Sequence, residues 1–478
     1  NVSGELTDVV YAAGQAMHGA WITIKNGVTT NVTGGSIGTD GLMGGGFARS
    51  DIANTDTAGG ITIAGGTWIN ISGGEITDVY GGTHTYSPNG QLEVVSTITG
   101  GTHITMTGGE VGNVQGGGYT AWGSKATIDY TEVKISGGTV YGDVQGGSYV
   151  VGGGKDVNSG NSSTITEGTS VVISDSADIQ GSVYGGSWVN WATGTAASYI
   201  KGVSTVVVEG GQIAGNVAGG GVTYANSGDG TISTLITQDT ASQVQLNGGT
   251  ILGSVIGGNL AIDNYGRGTT YKNSIGSTSV ILAGATVEGA VIAGSYVENA
   301  SDAGGAAADV TDDVSVSIVS GSVGDVYGGS IGGNIGGDST ISISGGDIVG
   351  GVYGADVTGT ITGDSTLSFD NVGDYTASMT VISGFDDVSF NGGTVDFTGV
   401  TFENSVISVS DTAAELGTQY TFATGAMSFG DGMQFRFGDD LYELGVAGNN
   451  GFVFDYDAEN GLVADLANLD TKSEAKRS

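Results

Sequence analysis

Small polar residues, several of them carboxylates, recur at one position of a repeated motif, and their chemistry is the first question that the sequence raises. Asp78 lies in ISGGEITDVYGG (71–82), and Asp143 has the equivalent place in ISGGTVYGDVQGG (135–147). Paired carboxylates are the usual machinery of enzymes that cleave polysaccharides. The other copies of the motif hold Asn113, Ser182, Asn216, Ser254, Ala290 and Asp325 at this position.

The spacing of this polar column favours a structural role. Asp78 and Asp143 are separated by one intervening copy, so stacked copies would place them about 10 Å apart. Retaining glycosidases hold their carboxylates about 5 Å apart and inverting ones about 6.5–9.5 Å apart. A pectate-type lyase would also need a basic residue, and none of the four arginines falls in the motif. We therefore expect a ladder of side chains that bond to one another and to turn backbone.

A second column of bulky, mostly aromatic residues follows the glycine pair that closes each motif. Aromatic rings in register stack on sugar rings if they face outward, and they join neighbouring copies if they pack on one another. We favour the joining role for most of this column. Its members are Phe47, His84, Tyr119, Tyr149, Trp188, Val222, Leu260, Tyr296, Ile331 and Val357.

Five aromatic residues are the candidate ligand-binding residues. Tyr119, Tyr149 and Trp188 belong to the aromatic column, whereas Trp122 and Trp191 lie a few residues beyond it in segments of variable length. Such segments carry binding functions more often than the scaffold does.

The sequence contains no recognisable metal or cofactor motif. Its three histidines lack the spacing of metal ligands, and it has no cysteine. The segment GGNIGGD (332–338) does not fit the calcium-binding nonapeptide. We expect no catalytic residue, no cofactor and no dedicated metal site, with loosely bound calcium at acidic segments such as 309–313 left as an alternative.

The elements that position both columns are defined by an aliphatic anchor before each small-residue turn. Successive anchors are 25 to 39 residues apart, while the motif itself barely changes length. This pattern is typical of a constant core with a variable insertion at one corner. The anchors are Val32, Ile71, Met106, Ile135, Ile173, Val208, Leu246, Leu282, Ile318 and Ile343.

Each core contains three short β-type segments, such as TVVVEGG, QIAGN and VAGGGV between residues 205 and 222. Glycines separate the segments and permit sharp corners. Parallel stacking of the cores at about 4.8 Å would bury the anchors in one column. The sequence therefore predicts an all-β fold, namely a β-solenoid (a right-handed parallel β-helix) of about ten or more rungs, one for each of the ten anchors.

The composition excludes several partners. The chain has 12 basic and 49 acidic residues, and its net charge of −37 repels nucleic acid and anionic membranes. No apolar run is long enough for this segment to insert into a membrane. The absence of cysteine is typical of an exported bacterial product.

We divide the chain into four parts. The repetitive β-helix covers 1–360, terminal β-helix rungs cover 361–411, an antiparallel β-hairpin cap covers 412–470, and 471–478 is a polar tail or linker. Insertions between motifs have Gly, Asn, Asp or Ser at their centres, which predicts hairpins that project on one side.

Motifs of the form ISGGTVYGDVQGGSY (135–149), with insertions between them, resemble the passenger domains of bacterial autotransporters (type V secretion). The resemblance covers roughly residues 20–465. It implies a right-handed β-helix with a C-terminal cap, exposed at the bacterial cell surface or extracellular, and commonly an adhesin or a self-associating protein.

We therefore expect a non-enzymatic structural or adhesive protein that acts by multivalent contacts. Its partners would be other copies of itself, by lateral or end-to-end association, or a glycan or protein of a host or cell surface. The alternative is a polysaccharide-degrading parallel β-helix enzyme, either a lyase or a hydrolase.

Overall fold

The computed structural model describes residues 4–50, 58–87, 93–152, 161–190, 195–225, 233–263, 270–298, 306–354, 359–409, 419–437, 439–448, 453–457, 459 and 461–465. These residues form β-strands joined by short turns, and this part of the chain contains no helix. The strands form sheets of 38, nine and five members in which parallel pairing predominates. The prediction of an all-β fold is confirmed.

Most strands pair in parallel with the equivalent strand one repeat later, and they form five ladders. Outside these ladders, Asp374–Thr376, Thr394–Asp396 and Gln419–Thr424 pair in parallel in the separate five-stranded sheet. The first ladder carries the anchors, and several of its strands run on into neighbouring ladders. Its strands are Val28–Ile37, Thr67–Tyr80, Thr102–Gln115, Ser124–Ile135, Asn161–Ile173, Val203–Val208, Ser233–Leu246, Thr270–Val287, Val314–Val323, Ser339–Ile343, Ser365–Asp370, Asp387–Asn391, Val406–Val409 and Gln434–Phe437.

The second and third ladders hold the two shorter segments of each motif. The second ladder adds the strands Glu5–Leu6, Thr139–Val140, Asp178–Ile179, Gln212–Ile213, Thr250–Ile251 and Asp347–Ile348. The third ladder adds Val10–Tyr11, Leu42–Met43, Val144–Gln145, Val183–Tyr184, Val217–Ala218, Val255–Ile256, Val291–Ile292, Val326–Tyr327, Gly351–Tyr353, Val381–Ser383, Thr401–Glu403 and Ser428–Phe429.

The insertions form the fourth and fifth ladders. The fourth consists of Gln15–Met17, Phe47–Arg49, His84–Tyr86, Tyr119–Ala121, Tyr149–Val151, Trp188–Asn190, Val222–Ala225, Leu260–Asp263 and Tyr296–Glu298. The fifth consists of Trp21–Ile24, Gly59–Ala64, Val94–Thr99, Thr195–Ile200 and Ala306–Val310, together with the first halves of four first-ladder strands.

The prediction of projecting hairpins is therefore wrong for the described residues. The outgoing and returning strands of an insertion pair in parallel with the next insertion, not with each other. The physical reason is burial, since each returning strand places aliphatic side chains in a shared interior. This column contains Ile63, Ile98, Ile128, Ile165 and Ile200.

The ten anchors lie at one register position of the first ladder and are all buried. A buried hydroxyl residue stands four positions before the anchor in eight of the ten repeats, and Val28 and Val314 take its place in the other two. Thr102 Oγ1 donates to the carbonyl of Gly116 at 2.5 Å, and Thr169 Oγ1 donates to the carbonyl of Gly185 at 2.5 Å. These bonds tie the first ladder to the glycine pair of the same repeat.

At the C-terminal end, parallel pairing continues further than predicted. Gln434–Phe437 still pairs in parallel with Val406–Val409, although we expected an antiparallel cap from residue 412. Antiparallel pairs join Asp440–Tyr442 to Gln434–Phe437, and Gly461–Asp465 to Val453–Asp457 and Gln419–Thr424. Alternating apolar residues fit either pairing, which is why the sequence misplaced the transition. The polar tail at 471–478 lies outside the described residues.

Candidate ligand-binding face

The aromatic column lies on the fourth ladder, a separate sheet of nine parallel strands. In each strand the second residue is buried, and because side chains alternate, the residues flanking it share the opposite face. The column that the sequence predicted is in register along this face, except for Val357, which lies outside the described residues. Its members are Phe47, His84, Tyr119, Tyr149, Trp188, Val222, Leu260, Tyr296 and Ile331.

Neighbouring rings of the column contact one another. The His84 and Tyr119 ring centroids are 4.5 Å apart, those of Tyr119 and Tyr149 are 5.2 Å apart, and those of Tyr149 and Trp188 are 5.6 Å apart. Phe47 extends the row, at 4.8 Å from His84. Such edge and tilted contacts stabilise the stack, and each of these residues remains partly exposed.

Side chains of the third ladder pack against this row from the adjoining face. Tyr80 contacts Tyr119 with a centroid distance of 6.0 Å. In later repeats both columns become largely aliphatic and form one small hydrophobic cluster. The cluster contains Tyr184, Ala218, Val222, Ile256, Leu260 and Ile292, with Trp188 and Tyr296 against it. The face is therefore aromatic in its first half and aliphatic in its second.

Several polar atoms beneath the aromatic half are buried without a hydrogen-bond partner. They are both ring nitrogens of His84, both amide atoms of Gln145, Gln115 Oε1 and Trp188 Nε1. Burial lowers the pKa of His84 to about 4 and raises the pKa of Tyr119 to about 12. Both side chains are therefore uncharged at neutral pH.

The two remaining candidates differ in what the structure shows. Trp122 follows the strand Tyr119–Ala121 with a φ of 56°, and its ring lies 5.6 Å from Tyr86. The guanidinium of Arg49 lies over the ring of Tyr86, 5.4 Å from its centroid. Trp191 lies outside the described residues.

The polar column forms the bonded ladder that the sequence predicted. Asp78 Oδ1 accepts hydrogen bonds from the backbone N–H and the side-chain amide of Asn113, both at 2.8 Å. Asn113 Oδ1 accepts from the N–H of Asp143 at 2.9 Å, and Asp143 Oδ1 accepts from the N–H of Ser182 at 2.7 Å. Burial raises the pKa of both Asp78 and Asp143. The same pattern continues through Ser182, Asn216, Ser254 and Ala290.

Sequence reasoning missed one cluster, on the outer face of the first ladder. Trp68, His103 and Glu132 occupy one register position on three adjacent strands. The signal was present, because these residues stand at the same distance before their respective anchors. It went unnoticed because the three residue types share no chemistry, unlike the polar and aromatic columns.

No group of three or more His, Asp or Glu side chains in the described ranges is placed to hold a metal ion. The same ranges contain no helix with the length and apolarity of a membrane span. No family model matches the chain, and no curated protein or solved structure matches it either.

Proposed function

We propose that the five ladders are the faces of a β-solenoid, a right-handed parallel β-helix whose insertions are stacked lobes of the coil. The support is the pairing pattern, since each strand pairs with its equivalent one repeat later over most of the described chain. Connections between parallel strands of one sheet are right-handed in nearly all proteins, which supports the hand.

We further propose that the protein is a secreted or cell-surface structural or adhesive element that acts by multivalent contacts. The observation that carries this proposal is the row of partly exposed rings, one per repeat, from Phe47 to Trp188. Equivalent groups at fixed spacing on a rigid scaffold allow weak contacts to add up. The resemblance to autotransporter passengers supports a location at the bacterial surface or outside the cell.

The partner is either another copy of the chain or a surface glycan or protein. Partly exposed aromatic rings suit a glycan, whose sugars have apolar faces. The net charge of −37 opposes association of copies at neutral pH unless divalent cations such as loosely bound calcium screen it. Nucleic acid and membrane lipid are disfavoured by the same charge.

The alternative, a polysaccharide-degrading enzyme, is weakened by how the carboxylates are used. Asp78 and Asp143 each accept hydrogen bonds from backbone N–H groups of the next repeat, so each has a structural role. Replacing both by asparagine and assaying the release of reducing or unsaturated sugar ends tests the alternative. Activity that the wild-type protein shows and the double variant lacks would support an enzyme.

The adhesive proposal is tested by sedimentation velocity and negative-stain microscopy over a concentration series. Each series is run with calcium and with chelator. Filaments, or particles that grow with concentration, would support self-association. Monomers at every concentration would exclude it and leave ligand binding. A glycan array then compares the wild-type protein with the Tyr149→Ala variant. Glycans that bind the wild-type protein and bind the variant more weakly would support glycan recognition by the aromatic row. An array on which the wild-type protein binds no glycan would contradict it.

A further inference from the structure

The Trp68–His103–Glu132 cluster contains a firmly held imidazole. The rings of Trp68 and His103 are stacked, with centroids 3.6 Å apart and planes 6° from parallel. His103 is only 6% exposed, whereas Trp68 is 42% exposed. The tryptophan therefore covers one face of the imidazole and fixes its orientation.

A carboxylate binds one nitrogen of this imidazole. Glu132 Oε2 lies 3.1 Å from His103 Nδ1, and its Oε1 lies 2.6 Å from Lys134 Nζ. Partial burial acts to raise the pKa of Glu132, but hydrogen bonds from Lys134 and His103 outweigh it and hold that pKa below its ordinary value. An ionised carboxylate at Nδ1 keeps the proton on that nitrogen, which leaves a lone pair on Nε2.

The second nitrogen faces a phenol. Tyr130 Oη lies 3.1 Å from His103 Nε2, so the hydroxyl donates to the lone pair. The carbonyl oxygen of Gly100 lies 3.4 Å from the same nitrogen and can accept its proton once the imidazole is charged. A hydroxyl, an imidazole and a carboxylate in this order are the arrangement that activates nucleophiles in proteins.

Tyr130 also lines a surface cleft of 360 Å³, together with Glu167, Ser170 and Val203. The volume suits a small molecule, and Val203, which is 38% exposed, gives the cleft an apolar side. The charged groups around the cluster are Glu132, Lys134, Glu167 and Asp129, whose Oδ2 accepts from the N–H of Gly100 at 2.8 Å. Because Glu132 already pairs with Lys134, Glu167 leaves the cleft unfavourable to anions and better suited to neutral compounds.

We propose that Tyr130 is a reactive hydroxyl that accepts an acyl group from a small neutral ester bound in this cleft. Oη attacks the ester carbonyl carbon, and its proton passes to His103 Nε2. The bond from that carbon to the leaving oxygen breaks, and the imidazolium returns the proton to the alcohol that departs. Glu132 and Trp68 are positioning residues. The proposal is independent of the adhesive function, because it concerns a different face.

The test is reaction of the full chain with 4-nitrophenyl acetate, followed by mass spectrometry of peptides. Tyr141 is a matched internal control, since it is 54% exposed and its hydroxyl donates to Glu110 at 2.8 Å without an intervening imidazole. We expect Tyr130 to be acetylated about 100-fold faster than Tyr141, the range of general base catalysis. His103→Phe should remove this advantage, and Tyr141→Phe should leave it unchanged.

A carboxylate variant separates activation from a structural role. Glu132→Gln should lower the labelling rate at Tyr130, because an amide beside His103 Nδ1 does not hold the proton there as the carboxylate does. Glu132→Asp should restore part of the rate, and both variants should keep the wild-type melting temperature. Equal labelling of Tyr130 and Tyr141 would overturn the proposal. So would a folded His103→Phe variant that labels at the wild-type rate, or acetate release without an acyl group on Tyr130.

Discussion

Asp78 and Asn113 lie on adjacent strands, and a single carboxylate oxygen of Asp78 accepts both the backbone N–H and the side-chain amide of Asn113, each at 2.8 Å. The side chain of Asn113 in turn offers its oxygen to the next repeat. Each member thus satisfies a backbone donor one repeat later. The column that resembled an enzyme's acids is a means of joining repeats.

Loss of one ladder acceptor should destabilise the fold. Asp143→Ala leaves the partly buried N–H of Ser182 without its acceptor, and because a fully buried donor without a partner costs about 1–3 kcal/mol, the loss should lie toward the lower end of that range. Chemical denaturation measures the effect, with the exposed Asp312→Ala as control. Asp143→Asn should retain wild-type stability or exceed it at pH 7, because it keeps an acceptor and removes a charge whose burial raises the pKa of Asp143. A stable Asp143→Ala variant would contradict the ladder's role.

The His84→Phe variant should be more stable than the wild-type protein. Phenylalanine fits between Phe47 and Tyr119 and removes two buried nitrogens that lack partners, for a gain of about 1 kcal/mol. The pKa of His84 is about 4 when folded and 6.5 when unfolded, so protonation of the unfolded chain lowers wild-type stability as pH falls between these values.

The gain from His84→Phe should therefore be larger at pH 5 than at pH 8, as thermal unfolding at the two values would show. Tyr119→Phe is the control, because the pKa of Tyr119 is raised to about 12 and its hydroxyl does not titrate in this range. An equal gain at both pH values would mean that His84 is more accessible to solvent than the structure shows.

Gly146→Ala should lower stability by about 1–3 kcal/mol, the usual cost of overpacking. A Cβ at this position would lie 2.3 Å from the carbonyl oxygen of Gly185 in the next repeat, and this backbone atom cannot move aside alone. Gly34→Ala is the matched control, since its Cβ would have no atom within 4 Å. Similar melting temperatures for the two variants would show that the repeats are less closely stacked than described.

Acidification should promote association of copies. The chain carries a net charge of −37 at pH 7, and its sequence pI is about 4.1, so repulsion between copies fades as pH falls toward that value. Sedimentation velocity at pH 7 and near pH 4.5, at equal ionic strength, measures the change. Unaltered monomers at the lower pH would show that charge repulsion does not limit association.

The register of the fold was predictable because the aliphatic anchors are chemically uniform. Ile135, Ile173 and Val208 are aligned as their spacing predicted, since each can be buried only against its equivalent. The path of the insertions was not predictable in this way. Ile128 and Ile165 stand among threonines and serines, and their pattern fits a hairpin as well as a stacked lobe.

The candidate sites also differ in how far the sequence predicts them. Tyr119, Tyr149 and Trp188 fall in one row because each follows a glycine pair at a fixed distance. The contact of Trp68 with His103 and the approach of Tyr130 to the same imidazole depend on side-chain directions on neighbouring strands. Spacing places Trp68, His103 and Glu132 at one register position, but it gives no measure of such directions, so the contacts of the cluster emerged only in three dimensions.

The hydrogen bonds between repeats all point along the stacking direction, so a pulling force applied along it passes through every repeat in series. Such an assembly ruptures at its weakest junction. The N–H of Ala290 donates to Ser254 Oγ at 3.2 Å, but the methyl group of Ala290 offers no acceptor to the following repeat. The junction between Ala290 and the repeat of Asp325 therefore lacks the tether of the polar column, although the N–H of Ser295 still donates to Ser330 Oγ there. Under tension, this junction and the one between Gly41 and Asp78, where a glycine holds the column position, should open before the tethered ones.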